Sequence, residues 1–148
     1  MDYFFTILVA TLPVFELRGA IPLAVGVFHM PLFPAYVLSV LGNFLPVTPL
    51  LFFWDRVAHR LAARVSFFHR AFDWVFERTR RKHGKKFEVA SAFALFVFVA
   101  IPLPLTGAWT GTIVAFLFGI PFWRAILAIG GGILVSGLLV LSSVGLFL

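Results

Sequence analysis

The sequence predicts an all-α integral membrane protein. Two inverted repeats, each a re-entrant helix-break-helix unit followed by a transmembrane helix, are joined by a cytoplasmic amphipathic basic helix. Three observations predict this. Hydrophobic residues make up 61% of the chain and charged residues only 12%, about half the charged share of a soluble domain. All Lys and Arg residues apart from Arg18 and Arg124 fall between Arg56 and Lys86. Short motifs of the first half recur in order in the second, Gly19-Ala20 as Gly107-Ala108, and Pro31, Ala35 and Gly42 as Pro121, Ala125 and Gly132.

With 148 residues the chain is one membrane domain, comprising repeat 1 over about 2–54, a linker over 55–88 and repeat 2 over about 89–148. The start, Met1-Asp2-Tyr3, lacks the basic residues of a cleavable signal peptide, so none is expected.

The first apolar stretch runs from Tyr3 to Met30 and is interrupted by Pro13, Gly19, Pro22 and Gly26 around the charged Glu16 and Arg18. Proline removes a backbone donor and glycine relaxes the chain, so a helix break is expected at Gly19 and Pro22. The arms on either side, about 12 to 15 residues, are shorter than the roughly 20 that a span needs. A hairpin returning to one face and a kinked full span both fit; the first puts both termini outside and the second puts them inside.

A second stretch, Leu32 to Trp54, is long enough to span and carries Asn43, a residue suited to polar packing between membrane helices. On a helical wheel of the linker, Val57, Leu61, Val65, Phe68, Phe72 and Val75 gather opposite Arg56, Arg60, Arg70 and Asp73, the pattern of an interfacial helix. The run Arg78 to Lys86 assigns this segment to the cytoplasmic side of the inner membrane, in a multi-pass chain. Its expected partner, over Arg56–Lys86, is anionic lipid; without a soluble domain no nucleic acid is expected.

The third stretch, Val89 to Ile120, is expected to break at Pro102, Pro104 and Gly111, and the fourth, Phe122 to Leu148, to span. Arg124, at the start of that span, reads as a cytoplasmic anchor. Because both halves attach to the cytoplasmic face at their inner ends, they run in opposite senses, as in many transporters. Gly130-Gly131-Gly132 and Ser136-Gly137 offer a small-residue surface for a homo-oligomer.

The chain has no cysteine, which excludes thiol chemistry and sulfur metal sites. His29, His59, His69 and His83 lack ligand spacing, so no metal is expected, and no cofactor. No phosphate-binding loop is present, and no base, nucleophile or metal cluster accompanies the breaks, so enzyme activity is not expected.

Glu16 and Arg18 are, with Asp2, the only charges before Asp55, and each costs about 2.5 to 3.5 kcal/mol at a helix centre on insertion scales. One reading is a substrate or proton site, completed in the second break by Thr106, Gly107, Trp109 and Thr110, where a half-helix N-terminus would hold an anion. The other is an ion pair that fixes packing, with threonines satisfying backbone freed by the prolines. Trp109 suits stacking on a substrate or packing equally.

Phe15-Glu16-Leu17-Arg18-Gly19-Ala20-Ile21-Pro22, the Gly42-Asn43 pair, and Ala100-Ile101-Pro102-Leu103-Pro104-Leu105-Thr106-Gly107-Ala108-Trp109-Thr110-Gly111 resemble the small multidrug export protein family over nearly the whole chain. Leu105 stands where that family has glycine. The family is similar in layout to the DedA group, which implies paired re-entrant hairpins, lipid translocation and proton-coupled transport.

The resemblance and the residues together imply a small transporter or exporter, proton-coupled through Glu16, that moves a small amphiphile or an anionic lipid headgroup. The alternatives are a structural or assembly protein and a lipid-modifying membrane enzyme.

Overall fold

Backbone polar groups in hydrocarbon have no water to bond, so a chain this apolar must satisfy them within helices. The computed structural model describes residues 1–64 and 66–147, without the side chains of 61–63, 66, 68, 69, 71, 72, 75, 76 and 78–85. Among the described residues the architecture is helical throughout. Its helices are α1 (Asp2–Thr11), α2 (Glu16–Pro22) running on as a π-helix (Leu23–Val27), α3 (Leu32–Phe44), α4 (Val47–Arg64), α5 (Ser66–Ala100), α6 (Ala108–Leu117) and α7 (Phe122–Phe147).

Pro13 has no N–H to continue α1, and the first break accordingly occupies residues 12–15. The break expected at Gly19 and Pro22 is therefore displaced: Gly19 lies inside α2 and Pro22 is its last residue. The lost proline N–H is absorbed by widening to a π-turn, with Phe28 N–H donating to the Leu23 carbonyl at 3.2 Å. The second break, residues 101–107, holds Pro102 and Pro104 as expected, whereas Gly111 lies inside α6.

Pro31 and Pro121 precede α3 and α7, where a missing N–H costs nothing. Among the described residues two helical stretches are long and apolar enough to cross a membrane, Leu32–Arg60 with 29 residues, which takes in α3 and most of α4, and Phe122–Phe147 with 26. α1 and α6, at 10 residues each, are about 15 Å long and cannot cross alone.

The linker is not a helix of its own. Residues 55–64 complete α4 and 66–88 begin α5, because no proline or glycine cluster stops either helix at the membrane boundary. Arg56, Arg60, Arg70 and Asp73 are exposed as the wheel requires, and Val57 is half-buried. The rest of the apolar face, Leu61, Val65, Phe68, Phe72 and Val75, and the basic side chains Arg78 to Lys85 lie outside the described residues.

Glu88 pairs with Arg124, while added methyl groups would place Gly131 against Phe96 and Gly132 against Val99. Both chain positions rise together across these pairs, so α5 and α7 run parallel. Phe44 meets Gly130, whereas Tyr36 meets Gly137 and donates to the Leu134 carbonyl at 3.0 Å; α3 and α7 are therefore antiparallel. Phe52 stacks tilted on Phe122 at 4.8 Å and Trp54 on Phe116 at 6.4 Å, gathering aromatic rings at the end that carries the Glu88–Arg124 pair, as at a membrane interface.

Small residues set the helix spacing, as is usual in membranes. A methyl on Gly42 would fall 2.6 Å from the Ile7 carbonyl, and one on Gly132 would fall 2.7 Å from Val99 Cβ and 3.0 Å from the Phe96 carbonyl. Ala10, Ala20, Ala24, Ala35, Ala108 and Ala125 are fully buried around Leu17, Ile21, Leu95 and Ile133. The small-residue surface expected to receive a second copy is thus occupied within the chain: Gly130, Gly131, Gly132 and Gly137 each meet a side chain of another helix, and Ser136 is buried.

Candidate functional site

The two breaks meet face to face. α2 opens on Glu16, whose backbone φ is 48°, a left-handed conformation costly for a side chain with Cβ. It turns the carboxylate out of the first break and onto α6. There Glu16 Oε1 accepts the Trp109 backbone N–H at 3.3 Å. The first N–H groups of a helix have no partner inside it and form its positive end, so Glu16 serves as the anion seated at the start of α6.

That approach is possible only because residue 107 is glycine. A methyl group there would lie 2.5 Å from the Glu16 carboxyl carbon. Glu16 is 6% exposed.

Arg18 completes the junction. One guanidinium nitrogen lies 4.0 Å from Glu16 Oε2 and donates to Thr106 Oγ1 at 3.3 Å, so it contacts both breaks at once. Thr106 in turn knots its own loop: its hydroxyl accepts the Leu103 N–H at 3.1 Å and lies 2.6 Å from the Ile101 carbonyl. Leu105, beside it, has φ 71°, the backbone form that glycine adopts freely.

Trp109 is held at three points. Its backbone N–H serves Glu16, its carbonyl accepts the Thr112 hydroxyl at 2.6 Å, and its indole N–H donates to the Thr11 carbonyl at 3.0 Å. Trp54 on α4 donates to Thr112 Oγ1 at 3.2 Å, so the α6 start is also tied to the aromatic end of the bundle.

Of the residues singled out in the sequence, Glu16, Arg18, Thr106, Gly107 and Trp109 come together. Thr110 sits half-buried on α6 and makes none of the bonds joining the breaks. Asn43 is 2% exposed and its Oδ1 has no hydrogen-bond partner among the described residues. Sequence reasoning did not find the Thr11 carbonyl, a backbone acceptor without a side-chain signature, nor Trp54, which reads only as an interfacial aromatic. Among the described residues no group of three or more His, Asp or Glu side chains gathers where a metal ion could be held.

The junction thus holds a buried carboxylate on a helix N-terminus with a half-buried guanidinium beside it. A family model described as "Putative small multi-drug export protein" matches residues 16–139. No curated protein matches the chain, and no solved structure does.

Proposed function

Since the chain belongs to the small multi-drug export protein family, we propose that it is an exporter that works through the junction of its two helix breaks. The observation that carries this reading is the Glu16 carboxylate on the Trp109 N–H at the start of α6, with Arg18 beside it. Glu16 occupies the seat that an anionic substrate group would take. When a proton neutralises Glu16, its hold on the positive end of α6 weakens and an anion takes its place with Arg18; loss of the proton returns the carboxylate and expels the anion. This couples proton entry to the movement of an anionic headgroup or small amphiphile.

A likeness between the halves supports this reading. Each has a helix, a break, a short helix and a proline-led helix, although α5 is much longer than α1 and α7 than α3, and Gly42 and Gly132 pack against equivalent parts of the helix before the break in the two halves. The layout fits re-entrant hairpins of the DedA type in the inner membrane. The basic segment Arg56–Lys86, at the aromatic end, suits anionic lipid on the cytoplasmic face.

The test is proton-driven flux in vesicles of wild type and Glu16→Gln, with lipophilic cations and anionic lipids as substrates. A pH-dependent flux lost in the variant is expected. The same interlock also suits a purely structural role, since Trp109 and Thr106 have their bonds inside it; that role predicts a less stable Glu16→Gln with flux unchanged.

A further inference from the structure

α3 carries two polar side chains, one turn apart, that nothing described satisfies. Ser39 is fully buried and Asn43 is 2% exposed, and neither Ser39 Oγ nor Asn43 Oδ1 has a hydrogen-bond partner among the described residues. Several other helical hydroxyls bond back to the carbonyl four residues earlier: Thr6 to Asp2 at 2.8 Å, Thr11 to Ile7 at 2.8 Å, Ser142 to Leu138 at 2.7 Å. Ser39 does not, so its oxygen is left for something else. A buried polar group without a partner is destabilising, and two on one face call for a ligand.

The fold does not require them. The pairing of Pro31, Ala35 and Gly42 with Pro121, Ala125 and Gly132 sets Ile129 and Ile133 at the positions equivalent to Ser39 and Asn43, and both isoleucines are fully buried. The same helical stripe is therefore apolar in one half and polar in the other.

The carboxyl end of α1 supplies the third component. Ile7 O and Ala10 pack on Gly42, next to Asn43, and the Thr11 hydroxyl lies 3.0 Å from the Gly42 carbonyl. α1 stops there because Pro13 cannot donate, so its last turn forms the negative end of a half-helix, with the Val9 and Thr11 carbonyls already taken by the Leu12 N–H and the Trp109 indole N–H. Two free oxygens beside such an end make a set of neutral acceptors. A bridging water could donate to both oxygens, but the negative half-helix end beside them favours a positive ligand, and half-helix carboxyl ends hold sodium in this way in membrane transporters.

We propose that Ser39 Oγ and Asn43 Oδ1, with the carbonyl end of α1, bind a sodium ion inside the first half of the protein. The site is separate from the Glu16 junction, and its test reads binding rather than flux, so it fails or stands independently of the export reading.

The full chain in nanodiscs is titrated with sodium chloride at constant ionic strength against choline chloride and potassium chloride, following thermal unfolding and binding of radioactive sodium. The wild type is expected to show saturable stabilisation and binding specific to sodium. Asn43→Ile and Ser39→Ile, which copy the other half, are expected to lose both. Should the isoleucine variants fail to fold, Ser39→Ala removes one oxygen with little change in bulk and should weaken sodium binding about tenfold or more. An equal response of the wild type to sodium and choline overturns the proposal in favour of a bound water only. An unchanged sodium affinity in Ser39→Ala overturns it too.

Discussion

Gly107 and Leu105, two residues apart in the second break, respond in opposite directions to a change of size. A methyl at 107 lies 2.5 Å from the Glu16 carboxyl carbon, so Gly107→Ala must push Glu16 off the α6 N-terminus. We expect that variant to lose flux and about 1 to 3 kcal/mol of stability, measured by transport in vesicles and by thermal unfolding. Leu105, with φ 71° and 85% exposed, holds a left-handed backbone at a cost of about 1 to 2 kcal/mol, of which glycine would return part in unfolded-state entropy. Leu105→Gly should therefore raise stability by up to about 1 kcal/mol, read as a higher unfolding midpoint. The charged members of the junction were legible in the sequence because Glu16 and Arg18 are isolated in an apolar stretch. The backbone groups of the junction, the Trp109 N–H that Glu16 accepts and the Thr11 carbonyl that holds the Trp109 indole, were not, since backbone groups become specific only when a fold brings them together.

Among the helices, the second break was legible and the first only nearly so. Pro102 and Pro104 lie two apart and no helix runs through them, whereas Pro13 and Pro22 competed for the first break and composition alone does not rank them. Pro22 lost because a π-turn absorbs its missing N–H, which a sequence does not announce. The ends of the basic linker were misjudged for the converse reason: charge marks the water boundary but does not stop a helix. The recurrence of Gly42 as Gly132 turned out to mark a contact of helix on backbone. Both Gly42→Ala and Gly132→Ala force backbone or Val99 aside, and each should cost about 1 to 3 kcal/mol; a thermal midpoint unchanged in either would contradict the close approach.

For the molecule as a whole, the antiparallel α3 and α7 put His29 and Gly145 at one end and the aromatic, basic segment at the other. With the basic end cytoplasmic, cysteines placed at His29 and Gly145 in this cysteine-free chain should be labelled by impermeant maleimide from outside, and one at Arg70 only after permeabilisation. If the first unit is the re-entrant hairpin proposed above, a cysteine at Asp2 is expected to label from outside; labelling from inside would make the unit a kinked span.

α5 runs without interruption from Ser66 to Ala100, 35 residues or about 52 Å, against a hydrocarbon core of about 30 Å. From Ser66 to Glu88, which pairs with Arg124 at the aromatic end, about 33 Å of it extends past that end as a stiff lever whose far tip is the second break. Whatever grips the outer arm, whether a lipid surface drawn taut or a neighbouring protein, delivers torque to Ile101 and the Thr106 knot without a joint to dissipate it. One unbroken helix thereby links that arm to the loop that holds Arg18 and faces Glu16.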